Sequence, residues 1–166
     1  MKRKYILARP VIAIGIVIIT SFFTAGISYA FEPADLQKLK TTGSCEKCDL
    51  SGANLTGANL TNANLTGVNL SAADLNQAIL TGANLSSASM LAANLTNANL
   101  TGANLSGADL NQATLIGANL SNANLMGTYL TNSNLDNVTL SGANLTGAFW
   151  NDGAKCKPGS IGECKK

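Results

Sequence analysis

Four cysteines carry the most evident reactive chemistry in this chain. Cys45 and Cys48 form a C-x-x-C pair in GSCEKCDL, and Cys156 and Cys164 stand near the C-terminus. The first spacing suits a thiol redox pair, half of a zinc site or a short disulfide. A β-turn brings Cα atoms three residues apart within about 7 Å, inside disulfide reach. In an oxidising compartment the plain outcome is two local links, Cys45–Cys48 and Cys156–Cys164. Thiol redox activity and zinc binding are the alternatives to it.

Other chemistry is thinly provided for. Histidine is absent, which removes the commonest general acid or base and metal ligand. No nucleophile–histidine pair and no phosphate-binding loop can be drawn. Between Leu50 and Trp150 the acidic residues are Asp74, Asp109 and Asp136, with Asp49 just before, and there is no Lys or Arg. Nothing in the composition calls for a cofactor or a metal, and no enzyme is expected.

Charge separates the chain into two parts. Lys2, Arg3, Lys4 and Arg9 fall in the first ten residues. From Phe31 onward seven Lys stand against nine Asp or Glu, a net of −2. No basic patch is left to hold a nucleic-acid backbone. The start reads as a secretory signal over residues 1–30. It has a basic MKRKYILARP, the apolar VIAIGIVIITSFFTAG, and Ser28 and Ala30 at the −3 and −1 positions of a small-residue cut. The apolar run is short for a bilayer span of about 20 residues. Membrane attachment is expected only through this segment if it stays uncut.

What would position the remaining residues is a period of five. From Leu50 to Leu145 every fifth residue is Leu, with Met90 the exception, and Trp150 follows in step. A small residue stands two before each, as in Ala53, Ala58 and Ala63, with Cys48, Val68, Thr128, Ser133 and Val138 the departures. An α-helix turns about 100° per residue and would rotate successive leucines by about 140°, leaving no seam. A flat strand has period 2 and gives no repeat of five. A square coil does fit. Each pentapeptide forms one side, the small residue and Leu point inward around an outward residue, and two residues make the corner. Twenty residues complete a turn, and turns stack at about 4.8 Å. Gly or Asn recurs two after the leucine, where a type II corner needs positive φ. Ala72, Gln77, Ser87, Ala92 and Gln112 break that rule, so a different turn is expected at each.

The run of A-N-L-T-G units from 48 to 150 resembles the pentapeptide repeat family, whose pattern is A-(D/N)-L-x-x. The resemblance implies an all-β chain, a right-handed quadrilateral β-helix. Here it would have about five coils and a length near 24 Å. The expected organisation is residues 1–30 signal peptide, 31–47 cap helix and cysteine turn, 48–150 repeat, and 151–166 a C-terminal cysteine loop. EPADLQKLKTTG reads as the short capping helix, with Pro33 in its first turn and Gly43 as its stop. In the same register Cys45 takes a leucine slot and Cys48 the next small slot, so both point inward at one corner.

Three uses of such a rod are weighed. The first is an exported, non-catalytic structural or protein-binding scaffold. The family includes exported members in the periplasm or thylakoid lumen of photosynthetic bacteria, and GSCEKCDLSGANL is similar to theirs. The second is DNA mimicry, since some members of the family modulate DNA gyrase. That role needs a dense acidic face, which this coil lacks. The third is binding to a repetitive lattice, ice or polymer, through outward Asn and Thr. A protein partner is the leading expectation, with an interaction patch at Leu91, Met126, Tyr129 and Phe149. Tyr129 and Phe149 are twenty residues apart and fall in one outward column. The competing arrangement has the tail from Asn151 to Lys166 folding over them as a cap.

Overall fold

The computed structural model describes residues 31–166. The signal-peptide reading of residues 1–30 lies outside the described residues. From Ser44 to Phe149 the backbone pairs with itself twenty residues later, always in parallel, as in Asn54 with Asp74 and Asp74 with Asn94. Four pentapeptides therefore close one coil, and the outward residue of each side is the one that bridges.

Hydrogen bonding explains why five residues suffice. Around the side at Leu55, the leucine N–H donates to Asp74 O one coil on at 2.7 Å. The outward Asp74 N–H donates back to Ala53 O at 2.9 Å, and the corner Gly57 N–H donates to Asn76 O at 2.8 Å. The small residue closes the corner, Ala58 N–H to Leu55 O at 3.0 Å. The fifth donor, at the first corner residue, goes to a side chain: Thr56 N–H to Asn54 Oδ1 at 3.0 Å. An Asn or Asp in the outward slot thus satisfies the one N–H that the ladder leaves over. The same bond recurs at Ser51, Ser71, Asn76, Thr101 and Asn111.

The interior is apolar and continuous. Leucines from Leu50 to Leu125, with Met90 and the alanines between them, are buried in one cluster along the axis. Each buried leucine contributes roughly 1.5–3 kcal/mol. Thr128 and Ser133 occupy small-residue slots and remain buried because their hydroxyls donate to Leu105 O and Leu130 O.

The corners correct one expectation. Ala72, Gln77, Ser87, Ala92 and Gln112 do not adopt a different turn. Their φ values are 56°, 57°, 56°, 56° and 60°, beside 66° at Gly52 and 64° at Gly57. The coil enforces this. Ala72 N–H donates to Leu91 O at 2.8 Å and Gln77 N–H to Thr96 O at 2.9 Å, and another turn type would take those donors out of the ladder. The left-handed conformation costs a side-chain-bearing residue about 1 kcal/mol, less than a lost backbone bond with its neighbours.

The two ends are closed differently. At the N-terminus helix α1, Pro33–Thr42, lies against the first coil, with Gly43 in the left-handed region and its N–H on Leu39 O. Leu39 is buried, and Phe31 and Leu36 pack beside it. At the C-terminus the chain leaves the coil after Trp150 and returns antiparallel on top of it. Lys155 pairs with Phe149 and Ile161 with Asn144. Leu145 N–H reaches Ser160 O at 2.8 Å, and Gly147 N–H reaches Cys156 O at 3.0 Å. This tail covers two sides of the last coil. On the other two, Leu135, Val138 and Leu140 stay only half-buried. The N–H groups of Leu135 and Leu140 have no partner among the described residues.

Candidate interaction surface

The cysteines sit where the register puts them. Cys45 and Cys48 are joined at one corner with Cα atoms 5.3 Å apart, and Cys156 and Cys164 are joined at 5.0 Å. Cys45 and Cys48 are both buried, and Cys45 Sγ lies 3.1 Å from the carbonyl oxygen of Asp35 on α1. Asp35 brings a carboxylate to the same place. With the sulfurs bonded to each other neither offers a thiolate, the form that metals and disulfide exchange both require. The link from α1 to the coil at this place is the Asp35 carboxylate, which accepts the Asp49 N–H.

Three of the coil's four carboxylates are engaged locally. Asp49, Asp74 and Asp109 each accept the N–H two residues on, at 3.0 Å. The Ser51 backbone N–H, then the Ser51 side chain, and more weakly the Asn69 amide hold Asp49 below its ordinary value. No two of them face each other as an acid and a base would.

The aromatic residues meet as their spacing requires. Tyr129 and Phe149 stack with ring centroids 5.0 Å apart and planes within 2°. The tail takes one face of this pair: Lys155 Nζ lies 5.4 Å from the Phe149 centroid. Tyr129 is left 44% exposed and Met126, on the preceding corner, 50%. Leu91, two coils back at the end of the same side, is 39% exposed. The competing arrangements therefore divide the patch, the tail covering Phe149 and leaving Tyr129 and Met126 open. Sequence reasoning missed Ile161, which is 52% exposed above Asn144 on the adjoining side. It lies beyond the repeat, where no register assigns a direction to a side chain.

The pentapeptide repeats family model matches residues 44–82, 78–115, 93–132 and 108–149, in eight copies. The chain belongs to the pentapeptide repeat family. Among solved pentapeptide repeat proteins, Rfr23 from the cyanobacterium Cyanothece 51142 is 35% identical, over 70% of this chain and 97% of that one, with a TM-score of 0.39. A pentapeptide repeat protein from the Arabidopsis thaliana thylakoid lumen is 27% identical over 75% and 86%, with a TM-score of 0.47. HetL, a pentapeptide repeat protein involved in heterocyst differentiation regulation in Nostoc sp. strain PCC 7120, is 34% identical over 68% and 65%, with a TM-score of 0.24. No curated protein matches the chain. Pentapeptide repeat proteins are generally non-enzymatic structural or binding proteins.

Proposed function

We propose that this pentapeptide repeat protein is an exported scaffold that binds a protein partner at its C-terminal end. Its rod is a right-handed coil of about five turns. Residues 31–47 seal the start, 48–150 form the coil, and 151–166 form the closing loop. The observation that carries the reading is the Tyr129–Phe149 stack, with Met126 beside it, on a surface made mostly of Asn, Ser, Thr and Gly. Aromatic and methionine side chains are enriched where proteins meet. Work outside the cytoplasm, in a periplasm or thylakoid lumen, is supported by the signal-like first thirty residues and by two cysteine pairs suited to oxidising surroundings. DNA mimicry is disfavoured because the coil carries only Asp49, Asp74, Asp109 and Asp136, too few for a dense acidic face.

The test is capture of partners from the extracytoplasmic fraction with wild type and Tyr129→Ser, beside thermal melts of both. The reading requires loss of the captured protein at unchanged melting temperature. A large drop in melting temperature with capture intact would make the stack part of the closing cap. N-terminal sequencing of the exported form should begin at Phe31, and an intact Met1 on membrane-bound protein would overturn export by cleavage.

A further inference from the structure

The aromatic stack is occupied on one side and open on the other. Tyr129 and Phe149 fill each other's inner faces at 5.0 Å, and Lys155 lies over the outer face of Phe149. The remaining face, that of Tyr129, looks back along the rod toward Asp109, its bridging neighbour one coil earlier. A notch of about 300 Å³ opens there, lined by Ser87, Ser89, Gly107, Asp109, Asn111 and Tyr129. It exists because small residues lie beneath a large one: Ser89, Asp109 and Tyr129 form a single column of increasing reach.

Asp109 is placed differently from its counterparts. Above Asp49 and Asp74 the next coil supplies an asparagine, Asn69 or Asn94, whose Nδ2 donates to the carboxylate at 3.0 Å. Asp74 also receives Thr56 Oγ1 at 3.1 Å. Above Asp109 the same place holds Tyr129, which brings no amide. Asp109 Oδ1 accepts the Asn111 N–H, and no hydrogen bond or ion pair among the described residues reaches its other oxygen. The Asn111 amide oxygen is itself taken by Thr131 N–H at 2.9 Å, the donor that Tyr129 cannot cap.

We propose that the notch beneath Tyr129 receives an arginine side chain of the protein partner. This rests on the reading that the patch is an interface, and names the chemistry it selects. A guanidinium is planar, so it lies flat against the open ring face while its edge donates to Asp109. The chain already places one cation on this stack, Lys155 at the opposite end, and the notch supplies the matching position with a carboxylate added. An apolar occupant would leave the Asp109 oxygen covered and unpaired, which is costly.

The probe is a short Gly-Ser peptide carrying one arginine, titrated into the isotope-labelled exported protein and followed by NMR. The citrulline version of the peptide keeps the shape and removes the charge. Saturable shifts are expected at the Tyr129 ring protons and at the Gly107 and Asn111 amides. Binding should be about two- to fivefold weaker in Asp109→Asn, and at least as much weaker with citrulline. Asp109→Asn is a clean variant, because an Asn in this slot keeps the bond to Asn111 N–H, as Asn69 does for Ser71. Absence of saturable shifts at the notch, or shifts indifferent to Asp109→Asn or to citrulline, overturns the proposal. If Tyr129→Ser still abolishes partner capture in that event, the interface reading stands and only the arginine is rejected.

Discussion

The carboxylate of Asp35, on helix α1, accepts the backbone N–H of Asp49 in the first coil at 2.8 Å. That N–H faces the N-terminal end, where no earlier coil supplies a carbonyl. The helix thus replaces a missing turn of ladder with one side chain. Asp35→Ala should cost about 1–2 kcal/mol and speed hydrogen exchange at the Asp49 amide, while amides in the middle of the rod stay protected. An unchanged urea midpoint would mean that water serves the donor equally well.

Corner strain should be removable. Ala72→Gly and Gln77→Gly place the permissive residue in a left-handed corner that the ladder demands. Each should raise stability by about 0.5–1 kcal/mol, read as a higher urea midpoint. Gly57→Ala meets no atom within 4 Å, so its loss should reflect the backbone alone and come out at a similar size.

The outward slot offers a gain as well. Ile79 cannot accept the Thr81 N–H, which has no partner among the described residues. Ile79→Asn should supply the missing bond and stabilise by about 0.5–1.5 kcal/mol. Asn104→Ile, which removes the acceptor for Ser106 N–H and the contacts to Asn84 and Asn124, should lower stability by as much or more. Differential scanning calorimetry of both variants decides it.

Reduction should act at the ends and not in the middle. Opening Cys156–Cys164, with a separation of eight residues, should cost about 2–3 kcal/mol, and opening Cys45–Cys48 rather less. Exchange at the Leu145 and Gly147 amides, which the tail caps, should rise on reduction while Leu75 stays protected. Peptide mapping of the oxidised protein should return these two links and no Cys45–Cys156 product.

Acid should act at Asp49. Its pKa is lowered from the ordinary 3.8, first by the Ser51 backbone N–H. A carboxylate held low in the folded state adds stability above its unfolded pKa and loses it as pH falls through the folded value. The stability difference between wild type and Asp49→Asn should therefore be present near neutrality and fade below about pH 4. Urea titrations at the two pH values measure it, and a pH-independent difference would mean the charge contributes nothing.

The period of five made the interior legible, because Leu55 and Leu60 can both point inward only if the chain turns between sides. It also placed Cys45 beside Cys48 and Tyr129 in one column with Phe149. The corner at Ala72 was not legible, since local preference argues against the left-handed region there and only the inter-coil bond to Leu91 O overrules it. The outward Asn was visible in many of the repeats, as at Asn54 and Asn99, yet its purpose appears only when the five N–H groups of a side are followed to their acceptors. The course of residues 151–166 was hidden for another reason: once the register stops, nothing periodic says that Lys155 returns to Phe149 or that Ile161 faces out.

Because four sides close one coil, compass direction along this rod is counted in pentapeptides. Removing twenty residues from the middle would shorten the rod and leave Tyr129 pointing the same way relative to α1. Removing five would keep nearly the full length and swing the aromatic stack to the next side, about a quarter turn away. Length and bearing can thus vary separately in a chain built this way, and the heading of the Tyr129 patch is fixed by the remainder when the repeats between it and α1 are divided by four.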